Sequence, residues 1–373
     1  MNRTTITARN AVIMSWVYEL PEWPVWRWDS VRAQKLLVRA ELLQARLGGR
    51  LEAYGNELFF EALVASRTEE VVTSFEIEGE ALDSRAIKSS IAKSLGVLDY
   101  PGESTAQSES LARLLSDINE NRNSELGLDR LKTWHKLLFP EVSSFRAGVF
   151  RDDSQGPMQV VSGPIGKEQV HFEAPPAAAI TSMLGQLILW LEDSKEHDFV
   201  KAAIGQLWFL TIHPFEDGNG RVARAISELF LARADGLGLR AYSVSGEILK
   251  NRKTYYQLLE AAQRSDLDAS GFVEWFLQSI CNAIEYSFEE LDLMSGRSKL
   301  LLRVGPQLNE RQLATLRRLL DPSFEGKVTA QKLAKLGKCS VDTAQRDIAK
   351  YIELGVLIRD LAGGRSTRYL VTL

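Results

Sequence analysis

The run His213-Pro214-Phe215-Glu216-Asp217-Gly218-Asn219-Gly220-Arg221-Val222-Ala223-Arg224 is the tightest constraint on what this chain can fold into. Gly218 and Gly220 permit backbone shapes that residues with a Cβ avoid. A helical pattern follows them, so a sharp turn must deliver straight into a helix opening near Asn219. The first amides of such a helix have no internal partners and sit at the positive end of its dipole. That is an anion cradle. Arg221 and Arg224 add cationic forks that suit phosphate oxygens. Asp217 places an oxygen ligand at the mouth of the cradle, of the kind that holds Mg2+ together with substrate phosphates. His213 lies just before the turn and can titrate near neutrality, as a general base should. A Gly-Asn-Gly turn alone is most often a helix-capping loop. Base, metal ligand, anion nest and two arginines together describe phosphoryl or nucleotidyl transfer. A P-loop is excluded, because the chain contains no GxxxxGK[ST].

The 373 residues suffice for two or three domains. With 45% hydrophobic and 25% charged residues the chain reads as globular and can bury a core without disulfide or metal staples. Cys281 and Cys339 are far apart and lack neighbours at metal-ligand spacing, so both read as reduced thiols in a cytoplasmic protein. No apolar run is long enough to span a membrane, and no signal-peptide pattern opens the chain. Residues 1–13 read as a flexible leader.

The segment from Trp16 to Asp29 places Trp16, Trp23, Trp26 and Trp28 around Pro21 and Pro24. The prolines forbid a regular helix, so an extended strap is expected, its indoles packed on a neighbouring surface. Helical periodicity then predicts Ser30 to Gly49, ended by Gly48-Gly49, and helices at about 58–78, 84–95, 108–120 and 129–138. Between 145 and 176 glycines and prolines are dense. The β-like runs 158–161 and 169–172 flank Gly163-Pro164-Ile165-Gly166, which predicts a protruding hairpin. Helices resume at about 176–194, 198–213, 219–234, 245–264 and 270–295, and Gly296-Arg297-Ser298 reads as a linker. The last block predicts a helix at 309–320 and a helix–turn–helix at 329–336 and 340–354. A β-ribbon with its turn at Ala362-Gly363-Gly364-Arg365 follows, which is the winged-helix order. The expected organisation is a leader (1–13), an N-terminal helical domain (14–98), a catalytic domain (99–295) and a C-terminal domain (298–373).

The 213–224 run matches the Fic motif HPFx(D/E)GNGRxxR at every defined position, and the helical body around it, about 100–290, resembles a Fic domain. The resemblance implies a mainly α fold, a Fic helical bundle with a β-hairpin flap, plus a small C-terminal winged helix-turn-helix domain. It implies a protein adenylyltransferase that moves AMP from ATP to a Tyr, Thr or Ser hydroxyl of a target or of itself. His213 would take the hydroxyl proton. Asp217 would hold Mg2+. The amides of Gly218, Asn219 and Gly220 would cradle phosphates, with the Asn219 side chain as a helper. Arg221 would bind the β-phosphate and Arg224 the γ-phosphate, while Phe215 anchors the loop in the core. The segment from Asn251 to Tyr256 is similar to the lining of the family's adenine pocket, with Tyr255 nearer the base than Tyr256; Gln263 falls where some relatives carry asparagine. The 145–176 hairpin resembles the flap that registers a target's main chain by strand addition. Relatives that transfer UMP, phosphocholine or phosphate keep another donor open, and a homodimer is implied by resemblance alone.

Ser74-Phe75-Glu76-Ile77-Glu78-Gly79 resembles the family's inhibitory helix, (S/T)xxxE(G/N). On its own such a segment is a solvated helix end with Gly79 to stop it. Under the resemblance Glu78 would pair with Arg224, displacing the γ-phosphate and misaligning the α-phosphate, and Ser74 would tether the helix. Charge adds one further expectation. From Arg297 onward there are 15 Lys+Arg against 7 Asp+Glu, an excess of eight; the whole chain is at −4, so the remainder carries −12. Such asymmetry suits a tail that meets a polyanion. Arg346, Lys350, Arg365 and Arg368 are placed for DNA phosphates, although winged helices also bind protein. A nucleotide-sensing DNA-binding regulator is therefore the alternative reading.

Overall fold

The computed structural model describes residues 16–97, 100, 102–140, 145–154, 156–162, 169–236, 240–321, 324, 326–360 and 367–372. The expected leader, the 163–166 turn and the 362–365 turn with Arg365 lie outside these residues. The chain divides into two compact units, Met1–Ser287 and Phe288–Leu373.

In the first unit the tryptophan segment forms a short 3-10 turn, Val17–Glu19, not an extended strap throughout. Its indoles pack as expected: Trp16 edges onto Phe172 at 5.0 Å, Trp23 onto Trp208 at 5.8 Å and Trp28 onto Trp190 at 6.5 Å. Asp29 caps α1, Ser30–Tyr54, by accepting from the amides of Val31 and Arg32. The helix continues through Gly48-Gly49, against expectation. Its buried stripe of Leu37, Leu43, Leu47 and Leu51 continues on both sides of the pair, which outweighs a helix cost of about 1 kcal/mol per glycine. The stop comes instead at Gly55, at φ 81. Five helices follow in chain order: α2 (Asn56–Ile77), α3 (Ser84–Ser94), α4 (Ala106–Glu120) and α5 (Leu128–Leu138), then α6 (Ile180–Asp193) after the hairpin. That hairpin pairs β1, Gln159–Ser162, with β2, Gln169–Glu173, antiparallel, with a bulge between Val160 and Val161.

Helix α7, Asp198–Ile212, is buried on every side, as a helix at the centre of a bundle must be. It packs against α8, Asn219–Asp235, whose face from Val222 to Ala232 is also buried. Large apolar side chains such as Phe199, Phe209 and Phe230 are fully enclosed between them, each contributing about 1.5–3 kcal/mol of transfer free energy. The loop 213–218 joining these two helices is therefore anchored at both ends in the buried core. The helix expected over 245–264 is divided in two, α9 (Val244–Lys250) and α10 (Arg252–Gln263), with Asn251 between them at φ −115. The next helix, α11, runs Ser270–Val304 without interruption, so the expected linker at 296–298 is helical. Cys281 and Cys339 are both free thiols.

The second unit contains α12 (Glu310–Leu319), α13 (Ala330–Leu336) and α14 (Val341–Glu353), then β3 (Leu357–Arg359) paired antiparallel with β4 (Tyr369–Val371). Val328 bridges to Tyr369 on the other side of β4. The caps are those the sequence offers: Asn309 with Gln312, Thr329 on Lys332 and Ser340 on Thr343. Leu316, Leu333, Ile348, Tyr351 and Leu357 form its core, joined by Leu300 and Val304. Buried Asp347 is held by Arg311, with Nη2 to Oδ1 at 3.0 Å, and by Gln312 Nε2 at 2.8 Å.

Candidate active site

Glycine geometry fixes the 213–224 loop. Gly218 is the N-cap of α8 at φ 76, ψ 6, a left-handed shape that L side chains rarely adopt. A Cβ there would also stand 2.3 Å from the Phe139 ring. A Cβ on Gly220 would stand 2.1 Å from Glu78 Oε1, so the backbone of the first turn of α8 lies open to whatever occupies the place of that carboxylate. The Asn219 amide is spent inside the loop: its Oδ1 accepts from Phe215 N at 2.9 Å and its Nδ2 donates to Phe215 O at 2.9 Å. The Asn219 side chain, in a residue 3% exposed, thus holds the shape of the loop. Phe215 is fully buried, the anchor expected of it.

His213 ends α7 in the left-handed region, at φ 51, ψ 58. Its Nδ1 lies 3.3 Å from the Leu210 carbonyl. A carbonyl only accepts, so Nδ1 carries the proton and Nε2 keeps its lone pair. Desolvation is the main cause that lowers the imidazolium pKa, to about 4, with Arg151 adding to it and the Leu210 carbonyl opposing it. The ring is therefore neutral at physiological pH. Asp217 keeps an exposed side chain, and its Oδ1 accepts from Gly218 N at 2.6 Å and stands 3.8 Å from Arg221 Nη2. No cluster of three or more His, Cys, Asp or Glu able to hold a metal occurs among the described residues. A lone exposed carboxylate beside a helix N-terminus fits Mg2+, which keeps waters and shares its ligands with substrate.

Both arginines face α2, which ends in a Schellman turn. Gly79, at φ 84, donates to Glu76 O at 3.0 Å, and Glu80 N donates to Phe75 O at 3.1 Å. That turn aims Glu78 and Glu80 at α8. Arg224, 3% exposed, donates from Nε to Ser74 Oγ at 2.8 Å and from Nη2 to Ser74 O at 2.7 Å. Glu78 Oε1 lies 2.9 Å from Arg224 Nη2. Arg224 Nη1 is buried without a hydrogen-bond partner among the described residues. Glu80 Oε2 takes Arg221 Nη1 at 2.9 Å. Arg221 is 2% exposed, between the rings of Phe75 and Phe139 at 4.8 and 4.4 Å. Carboxylates at a helix C-terminus oppose its dipole; here two arginines offset that cost. Glu80 has its partner 141 residues away in the chain.

The adenine-pocket expectations divide. Tyr255 is 1% exposed and accepts from Gln206 Nε2 at 2.9 Å, a core contact in place of the expected base neighbour. Gln263 is 4% exposed and turned to Thr211 Oγ1 at 3.4 Å, again inside the core. Tyr256 has the reachable ring, 39% exposed with Arg252 5.6 Å above it. Burial pushes its phenol pKa up, and Glu78 and Arg224 act on it electrostatically from nearby. Asn251 is taken up at the α9–α10 junction, with Nδ2 on Glu247 O at 3.2 Å.

Two further histidine and arginine roles were not read from the sequence. His135, fully buried, accepts from Gly148 N at Nδ1 (2.8 Å), so its Nε2 donates to Asp217 O (3.0 Å) while the ring stacks on Phe215 at 3.9 Å. Arg151 donates to the His213 carbonyl at 2.8 Å. Neither belongs to a local motif, and each acts on a backbone carbonyl distant in sequence.

The chain resembles known proteins in sequence and in fold. Residues 125–231 match the model of the Fic/DOC family, and residues 16–97 match a domain of unknown function, DUF4172. A relative from Aquifex aeolicus, named a probable protein adenylyltransferase, is 33% identical over 93 residues, 25% of this chain and 27% of that one. The match thus spans about a quarter of the curated relative. A crystal structure of a Fic family protein from Desulfovibrio desulfuricans G20 superposes with TM-score 0.54 at 21% identity, covering 91% of this chain and 96% of that one. A Fic domain containing signaling protein from Bacteroides thetaiotaomicron covers 70% of this chain and 97% of its own at 16% identity and TM-score 0.49. The mainly helical architecture is the Fic fold, and the stretch that matches the Fic/DOC family model contains the whole 213–224 loop.

Proposed function

We propose that the chain is a protein adenylyltransferase held in check by its own α2. The carrying observation is the contact at Arg224, where Ser74 and Glu78 occupy the fork of an arginine that belongs to a phosphate nest. In this reading ATP lies with its phosphates along the open backbone of Gly218, Asn219 and Gly220, its β-phosphate on Arg221 and its γ-phosphate on Arg224. Tyr256 faces the adenine. A Tyr, Thr or Ser hydroxyl of a target, or of this chain, approaches along the hairpin. Its oxygen attacks the α-phosphorus as its proton passes to Nε2 of His213; the bond to the bridging oxygen breaks and pyrophosphate leaves. Asp217 is the residue that would hold Mg2+, whose charge, when bound, offsets that of the phosphates.

The brake in this reading has two contacts. Glu78 denies Arg224 to the γ-phosphate, and Glu80 engages Arg221. In-line attack tolerates little displacement, about an ångström costing on the order of a hundredfold. Relieving Glu78 is the test: Glu78→Gly should raise transfer of α-phosphate label to protein, and unchanged transfer would sink the brake.

The second unit supports an additional role. Helix, helix, then paired strands is the winged-helix order, and Arg346 on α14 and Arg368 beside β4 are exposed, while Lys350 is engaged with Glu353 at 3.2 Å. We infer that this face contacts DNA phosphates, which would tether or report the nucleotide state of the first unit. Arg346→Ala should lower the salt dependence of duplex binding by a slope of about 1; an unchanged slope removes α14 from the interface. Among the described residues no helix is long and apolar enough to cross a membrane.

A further inference from the structure

Arg151 has no place in the phosphate nest, yet it is 2% exposed and every branch of its guanidinium is used. Nε donates to the His213 carbonyl at 2.8 Å, Nη2 to the Pro175 carbonyl at 2.5 Å and Nη1 to Asp153 Oδ1 at 2.8 Å. Its own amide donates to the Pro214 carbonyl at 2.9 Å. The other oxygen of Asp153 accepts from Ala177 N at 2.7 Å. The segment entering the hairpin (151–153) and the segment leaving it (175–177) are thus gathered on the same group that holds His213.

His213 needs such a partner. A left-handed backbone is costly for a residue with a Cβ, and it turns the His213 carbonyl out of the helical ladder, where Arg151 supplies its donor. A guanidinium can serve three acceptors in fixed directions at once; an ammonium cannot hold the same fork.

We propose that Arg151 is a positioning residue that fixes the reach between the hairpin and the imidazole of His213. It acts through two backbone carbonyls and touches neither ATP nor the target. The inference rests on the transferase reading, in which the hairpin registers the target's main chain and His213 takes the proton. With the link cut, ATP still meets an intact nest, but the hydroxyl is presented at the wrong distance, and a misplacement of about an ångström costs on the order of a hundredfold.

The test places Arg151→Lys and, separately, Asp153→Asn in a Glu78→Gly parent. Asp153 has a side chain 37% exposed, so its variant keeps the protein folded should Arg151→Lys fail to fold. Transfer of α-labelled ATP to a cell lysate gives kcat and the KM for ATP, and amide hydrogen exchange follows Phe172–Ala174 and Ala177 together with His213 and Phe215. Expected are a kcat lower by about a hundredfold for Arg151→Lys and about tenfold for Asp153→Asn, a KM for ATP within about twofold of the parent, and faster exchange at both segments together. A KM that rises as kcat falls, an unchanged kcat, or exchange that rises at one segment alone would overturn the proposal. Should the parent itself transfer no label, the transferase reading fails on that result, and the exchange data decide the link: a joint rise upholds it and a single-segment rise ends it.

Discussion

Glu78 Oε1 and Arg224 Nη2 stand 2.9 Å apart, in a pair whose arginine is 3% exposed while the glutamate keeps 28%. The asymmetry sets which partner can leave. Arg224 is fixed by Ser74 at two further points, whereas Glu78 sits at the end of a helix with solvent beside it. Replacing Glu78 by Gln leaves the buried guanidinium a neutral amide oxygen in place of a carboxylate, a loss of about 1–3 kcal/mol. Glu78→Gln should therefore unfold at lower temperature than wild type without ligand, and inorganic triphosphate should raise its melting temperature by more than that of wild type. Equal ligand-induced shifts in the two proteins would show that the pair does not compete with phosphate.

Glu80 is the more exposed partner of the second pair, at 49% against 2% for Arg221. Its removal should matter less. Glu80→Gln is expected to tighten ATP binding by a few-fold, since exposed partners contribute about 0–1 kcal/mol. Calorimetric titration of wild type, each single variant and the double variant gives the coupling energy; weaker ATP binding in Glu80→Gln would place Glu80 among the ligand's supports.

The two neighbouring tyrosines should separate. Tyr256→Ala should weaken ATP binding by about 1–3 kcal/mol, the usual worth of a base stacked on an aromatic ring, with little change in thermal stability. Tyr255→Phe loses the Gln206 hydrogen bond and should cost about 0.5–1.5 kcal/mol of stability with ATP affinity unchanged. The opposite pattern would return Tyr255 to the pocket.

His213 gives the pH dependence a sign. Its pKa is lowered to about 4, so the free base is present well below neutrality. In a Glu78→Gly background kcat/KM should show no acid limb due to this group between about pH 8 and pH 6, since an unperturbed histidine would titrate at about 6.5. The same shift opposes folding in acid: the unfolded chain takes up this proton as pH falls through about 6.5 while the folded chain does not until about 4. Stability from this group is thus complete above about 6.5 and lost toward 4. An acid limb centred near 6.5 would contradict the neutral imidazole.

Much of the site was legible because its parts are local. The 213–224 run places His213, the glycine turn and both arginines within one loop and the first two turns of one helix, and the 74–79 run carries its own Schellman stop. The unread parts act over distance. Arg151 and His213 are 62 residues apart, and Glu80 and Arg221 are 141 apart, so no spacing announces them. Tyr255 and Tyr256 are adjacent on one helix, and only the packing of Gln206 against α10 reveals which ring is covered. Gly48-Gly49 and Gly296 read as stops because glycine weakens helices; at both places buried apolar residues resume beyond the glycine and carry the helix on.

The account turns on one assay. Wild type, Glu78→Gly and Glu78→Gly/His213→Ala are incubated with cell lysate, Mg2+ and ATP labelled either at the α- or at the γ-phosphate. The expected result is α-label on protein chiefly with Glu78→Gly, rising by about a hundredfold over wild type, no γ-label, and loss of the signal in the double variant. Label from the γ-phosphate, or α-label that persists without His213, would contradict it.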